Sequence, residues 1–576
     1  MAFNGLPNEL ITQILEFTVA DSYRIPEFPE DIWASSPIIC GVRTLHALCL
    51  SSRLLRELAE PLLYEVFKQS HPRQVPLFLR TVIDRPDLAE RVKHVNLRAR
   101  SNHKTKGLID MKSFSAADMN LFSSAVSRLC CATPPMSDQD VDSESCMTKD
   151  SSIKDAATEG WESDSSDDWE SASYDSYRVP EVDPEDPDVW YRCIKVGKWD
   201  AIVGALIPLL SNLQHIHFDC FPIHDEDPSG YIQRMAFRAV RIQSDTRTAS
   251  DSILALRSLH AVELTSGDGE GESVEADLQD MLPFFELPSV TRIIGNGLVD
   301  EDWARQPSPA FPTTELYLNN CALGMDSLAS LIGCTPGLEK FNYHHSGRRG
   351  EYFHIIFAPH ELEEVMKPLT NSLQELSMFS RKVCSQHLEL SDWRLEAPIG
   401  SLANFQRLTY ICMSAWIMVG QDPKLKLQRS LIPTVSTDLM ERPFRRLADA
   451  VPKSLEILEL TECEPYVLEH VAELLEQKEQ KTPKLKKITL IRPDTLRHFD
   501  IDDGRNRVRH IPRTEEETAE GKRLVAQAAA KGVTLAVRFF KSKDPRLNPN
   551  PTSYFSLLVY QHLQNTAPFS LTGPGL

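Results

Sequence analysis

Histidine is the side chain that most readily does proton or metal chemistry near neutral pH, and this chain holds two close groups of it. His215, His217 and His224 stand with Asp225, and His344 and His345 stand shortly before His354. A metal would need several such donors converging on one point. His215 and His217 occupy alternate positions of a strand-like phrase and so share a face, but no cysteine or carboxylate lies at a recognised ligand spacing. The twelve cysteines are scattered without a CxxC pair. A phosphate-cradling glycine loop, a nucleophile elbow and a metalloprotease helix are all missing. Acid–base or covalent catalysis needs a base or nucleophile with an orienting partner, and no such set stands out. The expectation is a chain without catalytic residues, metal or cofactor.

The elements around these histidines repeat. A phrase with leucine-type or aromatic residues at its first, fourth and sixth positions returns as VKHVNL, LQHIHF, LHAVEL, LEKFNY, LQELSM, LTYICM, LEILEL and LKKITL. Looser, shorter or degenerate copies are VTRIIG, TELYL and GVTLAV. Alternation within each phrase predicts a short strand with two inward residues, such as Leu458 and Leu460. Helical segments lie between, for example MDSLASLIGC from Met325 and PYVLEHVAELLEQKEQ from Pro465. Units of this kind bury a shared core only by stacking. Cys321 and Cys463 each follow the last leucine of a phrase by three residues. The pattern resembles that of leucine-rich repeats, in an irregular form, and the resemblance implies an α/β solenoid bent into a horseshoe.

The N-terminus is crowded with leucine in another way. From Pro7, the residues Leu10, Ile11, Ile14, Leu15 and Val19 recur at helical spacing. A second helix is expected over Leu45 to Ala59, and a third from Pro61 through Phe67. So small a unit cannot bury its apolar surface alone. Leu6-Pro7-Asn8-Glu9-Leu10 with Ile14 resembles the opening of an F-box, and Leu48-Cys49-Leu50-Ser51-Ser52-Arg53-Leu54-Leu55 its second half. AEPLLYEVF is similar to the ends of F-boxes in fungal proteins. The resemblance implies docking on a Skp-type adaptor, and through it a cullin, by Leu6, Pro7, Leu10, Ile14, Leu50, Ser52 and Arg53. It also implies membership of a ubiquitin ligase, in the cytoplasm or nucleus. An N-terminal helical cap on the repeats is the alternative reading of the same residues.

Charge sorts the rest of the chain. The formal net charge is −20, which argues against nucleic-acid binding. Residues 136–190 carry 18 acidic and 3 basic side chains, a net of −15. That stretch is poor in apolar residues and expected to be unstructured. Ser165, ahead of Asp167 and Asp168, is its candidate phosphorylation site. No apolar run reaches the roughly 20 residues of a membrane span, and no signal peptide is read at the N-terminus. Arg505, Arg507, Arg509 and Arg513 read as a solvated loop, followed by a helix from Thr514 to Ala530. The expected organisation is a helical module over 1–70, the start of the solenoid over 71–135, the acidic insert over 136–190, the main solenoid over 191–540 and a poorly ordered tail over 541–576.

Strand geometry also points to a binding face. If the leucines point inward, their neighbours line the opposite, exposed face of the sheet. Tyr317, Asn319, Asn342, His344, Glu375, Phe379 and Tyr410 are the candidate contacts for a protein target. The expected function is substrate receptor of a cullin-based ligase. The alternatives are a repeat scaffold acting outside any ligase and, as a third class, a hydrolase or metal enzyme built on the histidine-bearing loops.

Overall fold

The structure, a computed structural model, describes residues 7–23, 37–98, 109–131, 186–219, 230–244, 256–268, 273–274, 276–300, 310–346, 358–380, 398–420, 445–493, 495–502, 505–512 and 515–540. Its centre is one sheet of twelve parallel strands whose spatial order is their order along the chain. They are β1 (Val66–Lys68), β2 (His94–Arg98), β3 (His215–Asp219), β4 (Ala261–Thr265), β5 (Arg292–Asn296) and β6 (Glu315–Cys321). The sheet continues with β7 (Lys340–His345), β8 (Glu375–Ser380), β9 (Tyr410–Ser414), β10 (Ile457–Thr461), β11 (Lys487–Pro493) and β12 (Thr534–Phe540). Each of the eleven repeated phrases forms one strand, β2 to β12.

Register explains the leucines. Val95, Ile216, Val262, Ile293, Leu316, Phe341, Leu376, Ile411, Leu458, Ile488 and Leu535 pair from strand to strand in one unbroken row. A second row runs two residues further on and includes Leu97, Phe218, Leu264, Leu318, Met378, Met413, Leu460 and Leu490, all buried. Both rows point to the side that carries the crossover helices. Sequential parallel strands with right-handed crossovers put every helix on one face. A helix is about 10 Å wide and strands are about 4.8 Å apart, so the sheet bends with its helix-free face concave. The helices complete the core: Val467, Leu468, Val471, Leu474 and Leu475 of Tyr466–Glu476 are all buried against it.

Three helices precede the sheet: α1 (Asn8–Tyr23), α2 (Pro37–Ser51) and α3 (Arg53–Glu65). The break between the last two falls at Ser52 rather than at Pro61. The Ser52 hydroxyl accepts the Leu55 amide at 3.1 Å and caps α3, while Pro61 lies inside that helix. The three helices share a small core of Ile11, Leu15, Leu45, Cys49 and Ala59, distinct from that of the sheet.

Other expectations need correction. Val66 and Phe67 do not extend a helix. They form the first sheet strand, inside the span expected to be purely helical, because their backbone pairs with His94 and Val95. Phe67 stacks on Phe78 with ring centroids 4.0 Å apart. The stretch from Arg505 is not a loop: Thr495–Asp502 and Arg505–Pro512 pair as an antiparallel hairpin. The acidic stretch gives way to a helix before residue 190. Asp186 caps Pro187–Val196 with its carboxylate on the Asp188 amide, and Trp190 is buried with its indole N–H on the Ala201 carbonyl. Ser165 and the tail after Phe540 lie outside the described residues, as do Arg513 and Thr514, though the helix Glu515–Ala530 is present.

The cysteine that follows two of the phrases has a local role. Asn320 and Glu462, each just before that cysteine, adopt left-handed backbone with φ of 52° and 54°. Cys321 and Cys463 are fully buried, and their thiols donate to the carbonyls of Asn319 at 3.3 Å and Leu460 at 3.2 Å. The turn at the end of the strand thereby satisfies its carbonyls without water. The cysteines whose side chains are described are free thiols.

Candidate functional site

Two surfaces concentrate side chains able to hold a partner. The first is the N-terminal helical module. Among the described residues, eight large apolar side chains are strongly exposed, and four of them lie here: Leu10, Ile14, Leu50 and Leu54. Leu10 and Ile14 stand one turn apart on α1. Leu50, 68% exposed, and Leu54 flank the turn between α2 and α3. The same helices bury Ile11, Leu15, Leu45 and Cys49 on their inner faces. The exposed leucines are therefore a second stripe, surplus to the internal core. Pro7 is exposed at the head of α1 and its carbonyl accepts the amides of Leu10 and Ile11. Arg53 is exposed and pairs with Glu57 one turn on, at 3.1 Å. Ser52 acts as the cap already described, and Leu6 lies outside the described residues. Leu54 was not singled out from sequence, although its position beside Arg53 in the second half of the motif was available as the signal.

The second surface is the concave face of the sheet, where every strand contributes its odd positions. The row nearest the strand starts reads His94, His215, Ala261, Arg292, Glu315, Lys340, Glu375, Tyr410, Ile457 and Lys487. At its middle, four adjacent strands alternate in charge. The Arg292 guanidinium pairs with Glu315, and Lys340 reaches Glu315 at 3.5 Å and Glu375 at 3.6 Å. The Tyr317 hydroxyl adds a 3.3 Å bond to Glu315.

The face is not uniformly open, which corrects the expectation that its aromatic and polar candidates are exposed. Tyr317, Asn342, His344, Phe379 and Tyr410 are buried, Phe379 to 1% exposure. Only Asn319 and Glu375 of the seven candidates remain half-exposed. On a concave sheet, large side chains of neighbouring strands lean together. The His344 and Phe379 rings meet edge to face at 6.4 Å, and Phe379, Tyr410 and Cys412 form a separate small apolar cluster. The Tyr410 hydroxyl donates to Glu459 at 3.0 Å, and Lys487 holds the same carboxylate at 3.2 Å. Burial, and then the neighbouring Cys412 and Glu459, push the Tyr410 hydroxyl far above its ordinary range. It is a structural donor.

The histidines divide by face. His344 lies on the concave side. His345 points the other way, into the core, where its Nδ1 meets the Tyr343 hydroxyl at 2.8 Å. They cannot share a metal, and His354 lies outside the described residues. His215 and His217 do share the concave face, but His224 and Asp225 lie outside the described residues. No cluster of three or more metal-type side chains occurs among the described residues. Likewise, no helix among them is long and apolar enough to cross a membrane.

In comparison with known families, the family described as leucine-rich repeat domain matches residues 185–502. No curated protein matches the chain.

Proposed function

The chain belongs to the leucine-rich repeat family, and from that premise we propose that it is a non-catalytic substrate receptor of a cullin-based ubiquitin ligase. In this reading residues 1–70 form an F-box that docks on a Skp-type adaptor. The solenoid over 71–135 and 191–540 presents its concave face to a protein target, in the cytoplasm or nucleus. The acidic stretch 136–190, with Ser165 as a phosphorylation candidate, and the tail 541–576 lie outside both roles. The chain makes and breaks no bond itself. It raises the effective concentration of the target beside the ligase, which is a proximity effect.

The observation that carries the reading is the surplus apolar stripe of Leu10, Ile14, Leu50 and Leu54 on helices that already have their own core. Exposed apolar side chains grouped on so small a module are the usual sign of a binding surface. On the concave face, the half-exposed Asn319 and Glu375 are the candidates able to touch a target directly. The buried Tyr317, Asn342, His344, Phe379 and Tyr410 would act as the rigid floor beneath them.

The test is capture of a purified Skp-type adaptor by the intact chain, beside a Leu10→Asp, Leu50→Asp variant. Both positions are exposed, so the variant should keep its melting temperature and lose capture. Equal capture by variant and wild type would remove the docking surface from the account. A repeat scaffold whose N-terminal helices only cap the solenoid would show no capture by the wild type either.

A further inference from the structure

The concave face is closed across its middle but open near its N-terminal end. Along β6 to β9, the inner concave positions Tyr317, Asn342, Ser377, Cys412, His344, Phe379 and Ser414 are buried, and only Asn319 at these inner positions is half-exposed. Along β2 to β5, the equivalent positions Asn96, His217, Glu263, Ile294, Arg98, Thr265 and Asn296 are all half-exposed. A partner entering the concavity therefore has access to side chains here that it lacks further along.

The chemistry of this open part is distinctive. Four imidazoles gather on three adjacent strands: His94 and His215 at the strand starts, His217 in the middle of β3 and, on the rim just before β4, His260. His94 and His215 pack edge to face with centroids 6.0 Å apart. Glu263 stands 3.8 Å from the Nε2 atoms of both His215 and His217. Lys68 occupies the neighbouring concave position on β1, in register with Asn96, and Arg98 the outer one on β2. In a chain with a net charge of −20, this is a local excess of groups that are cationic or can become so. Asp219 shares the register of Arg98 and Thr265, and Glu65 and Lys93 lie beside His94.

Hydrogen bonds tie the patch into one unit. The Asn96 amide donates to His217 Nδ1 at 2.9 Å, which leaves Nε2 to carry the proton and meet the Thr265 hydroxyl at 3.2 Å. The Asn296 amide donates to the same hydroxyl at 3.2 Å and to Glu263 at 3.4 Å. Apolar side chains are nearly absent from it, so a greasy helix is a poor fit. An extended chain carrying carboxylates fits the donors and the protonatable rings.

Resting on the reading of this face as the target-binding surface, we propose that the open patch over β2 to β5 binds a carboxylate-rich segment of the target protein, and that binding is coupled to proton uptake by the histidine cluster. Burial, then the nearby His94, His217, His260 and Arg292, push His215 down to about 3, and burial lowers His94 as well. Burial thus holds His215 and His94 neutral in the free protein despite the Glu263 and Glu65 carboxylates nearby. A further carboxylate laid across these two rings adds attraction for a proton, and the protonated form becomes the stable one in the complex.

The experiment is titration of the intact chain with a labelled glutamate-rich peptide of about 12 residues at pH 6 and pH 8, with a neutral glutamine peptide as control. Repeating it in buffers of different ionisation enthalpy counts the protons taken up. The expected result is roughly tenfold tighter binding at pH 6, with net proton uptake at neutral pH. A His94→Gln, His215→Gln variant should bind weakly and equally at both pH values. Binding of wild type that is absent, independent of pH or shared by the neutral peptide would overturn the proposal, as would zero proton uptake. The wild-type arms decide the matter even if the variant folds poorly. Adaptor capture uses none of these residues, so failure here and failure of the ligase reading are distinguishable.

Discussion

Glu65, the last residue of α3, holds Lys93 twice: the Lys93 amide donates to its carbonyl at 2.9 Å, and the Lys93 ammonium reaches its carboxylate at 2.7 Å. Lys93 directly precedes β2, so the helical module is bound to the first repeat through backbone as well as side chain. The following residues Val66 to Lys68 continue straight into the sheet. A helical module joined in this way keeps a fixed direction relative to the concave face. That is what a receptor needs if its target is to sit at a set distance from the ligase.

The ion pair itself should contribute little. Its side chains keep 44% and 25% of their surface, and exposed pairs are worth about 0–1 kcal/mol. Glu65→Gln is expected to lower stability by less than about 1 kcal/mol. Phe78→Ala, which removes the ring stacked on Phe67, should cost about 3 kcal/mol. Chemical denaturation of the two variants checks the order.

Gly197 is a position where no other residue fits. Its φ is 87°, it ends the helix Pro187–Val196, and an added Cβ would lie 1.9 Å from the Ile109 carbonyl oxygen. The clash is with the Ile109 backbone, whose amide also donates to the Gly197 carbonyl at 2.8 Å. Gly197→Ala should destabilise by about 3 kcal/mol or more, the left-handed cost of about 1–2 kcal/mol plus the displaced strand connection. A thermal melt reads it directly.

Asn320 is the milder case. It is exposed and left-handed at φ 52°, so only its backbone preference is at stake. Asn320→Ala should cost about 1 kcal/mol, and Asn320→Gly should be close to neutral.

Asp280 sets a pH dependence. Burial, then the neighbouring Asp277, push its carboxyl up to about 6, against the Gln233 amide bond that favours the charged form. Its folded form holds a proton more tightly than the unfolded chain does, so its contribution is intact below the unfolded carboxylate range and is lost as pH rises through about 6. Asp280→Asn keeps the acceptor for Gln233 and removes the charge. The variant should be more stable than wild type by about 2 kcal/mol at pH 8 and indistinguishable from it near pH 4. Paired melts at the two pH values test the sign.

The sheet was largely legible in the sequence because a strand of period two writes its inner residues as alternate leucines, as in Leu458 and Leu460. β1 was not, since three residues give no periodicity and Val66 and Phe67 continue the apolar pattern of a helix. The hairpin from Thr495 was missed for a related reason: its arginines read as solvated rather than as paired strand. Alternation identified the side on which Phe379 and Tyr410 lie, but it carries no information on curvature. It therefore could not tell that neighbouring strands bury them while leaving Asn96 and His217 open. The exposed Leu10 and Leu50 were legible because the module holds more leucine than its own small core can use.

The most direct measurement is the mass of the species formed when the intact chain is mixed with a purified Skp-type adaptor and its cullin, read by light scattering during size exclusion. The account predicts a single complex with one copy of each, absent when Leu10 and Leu50 are changed to aspartate. A folded wild-type chain that elutes alone at micromolar concentration would contradict it.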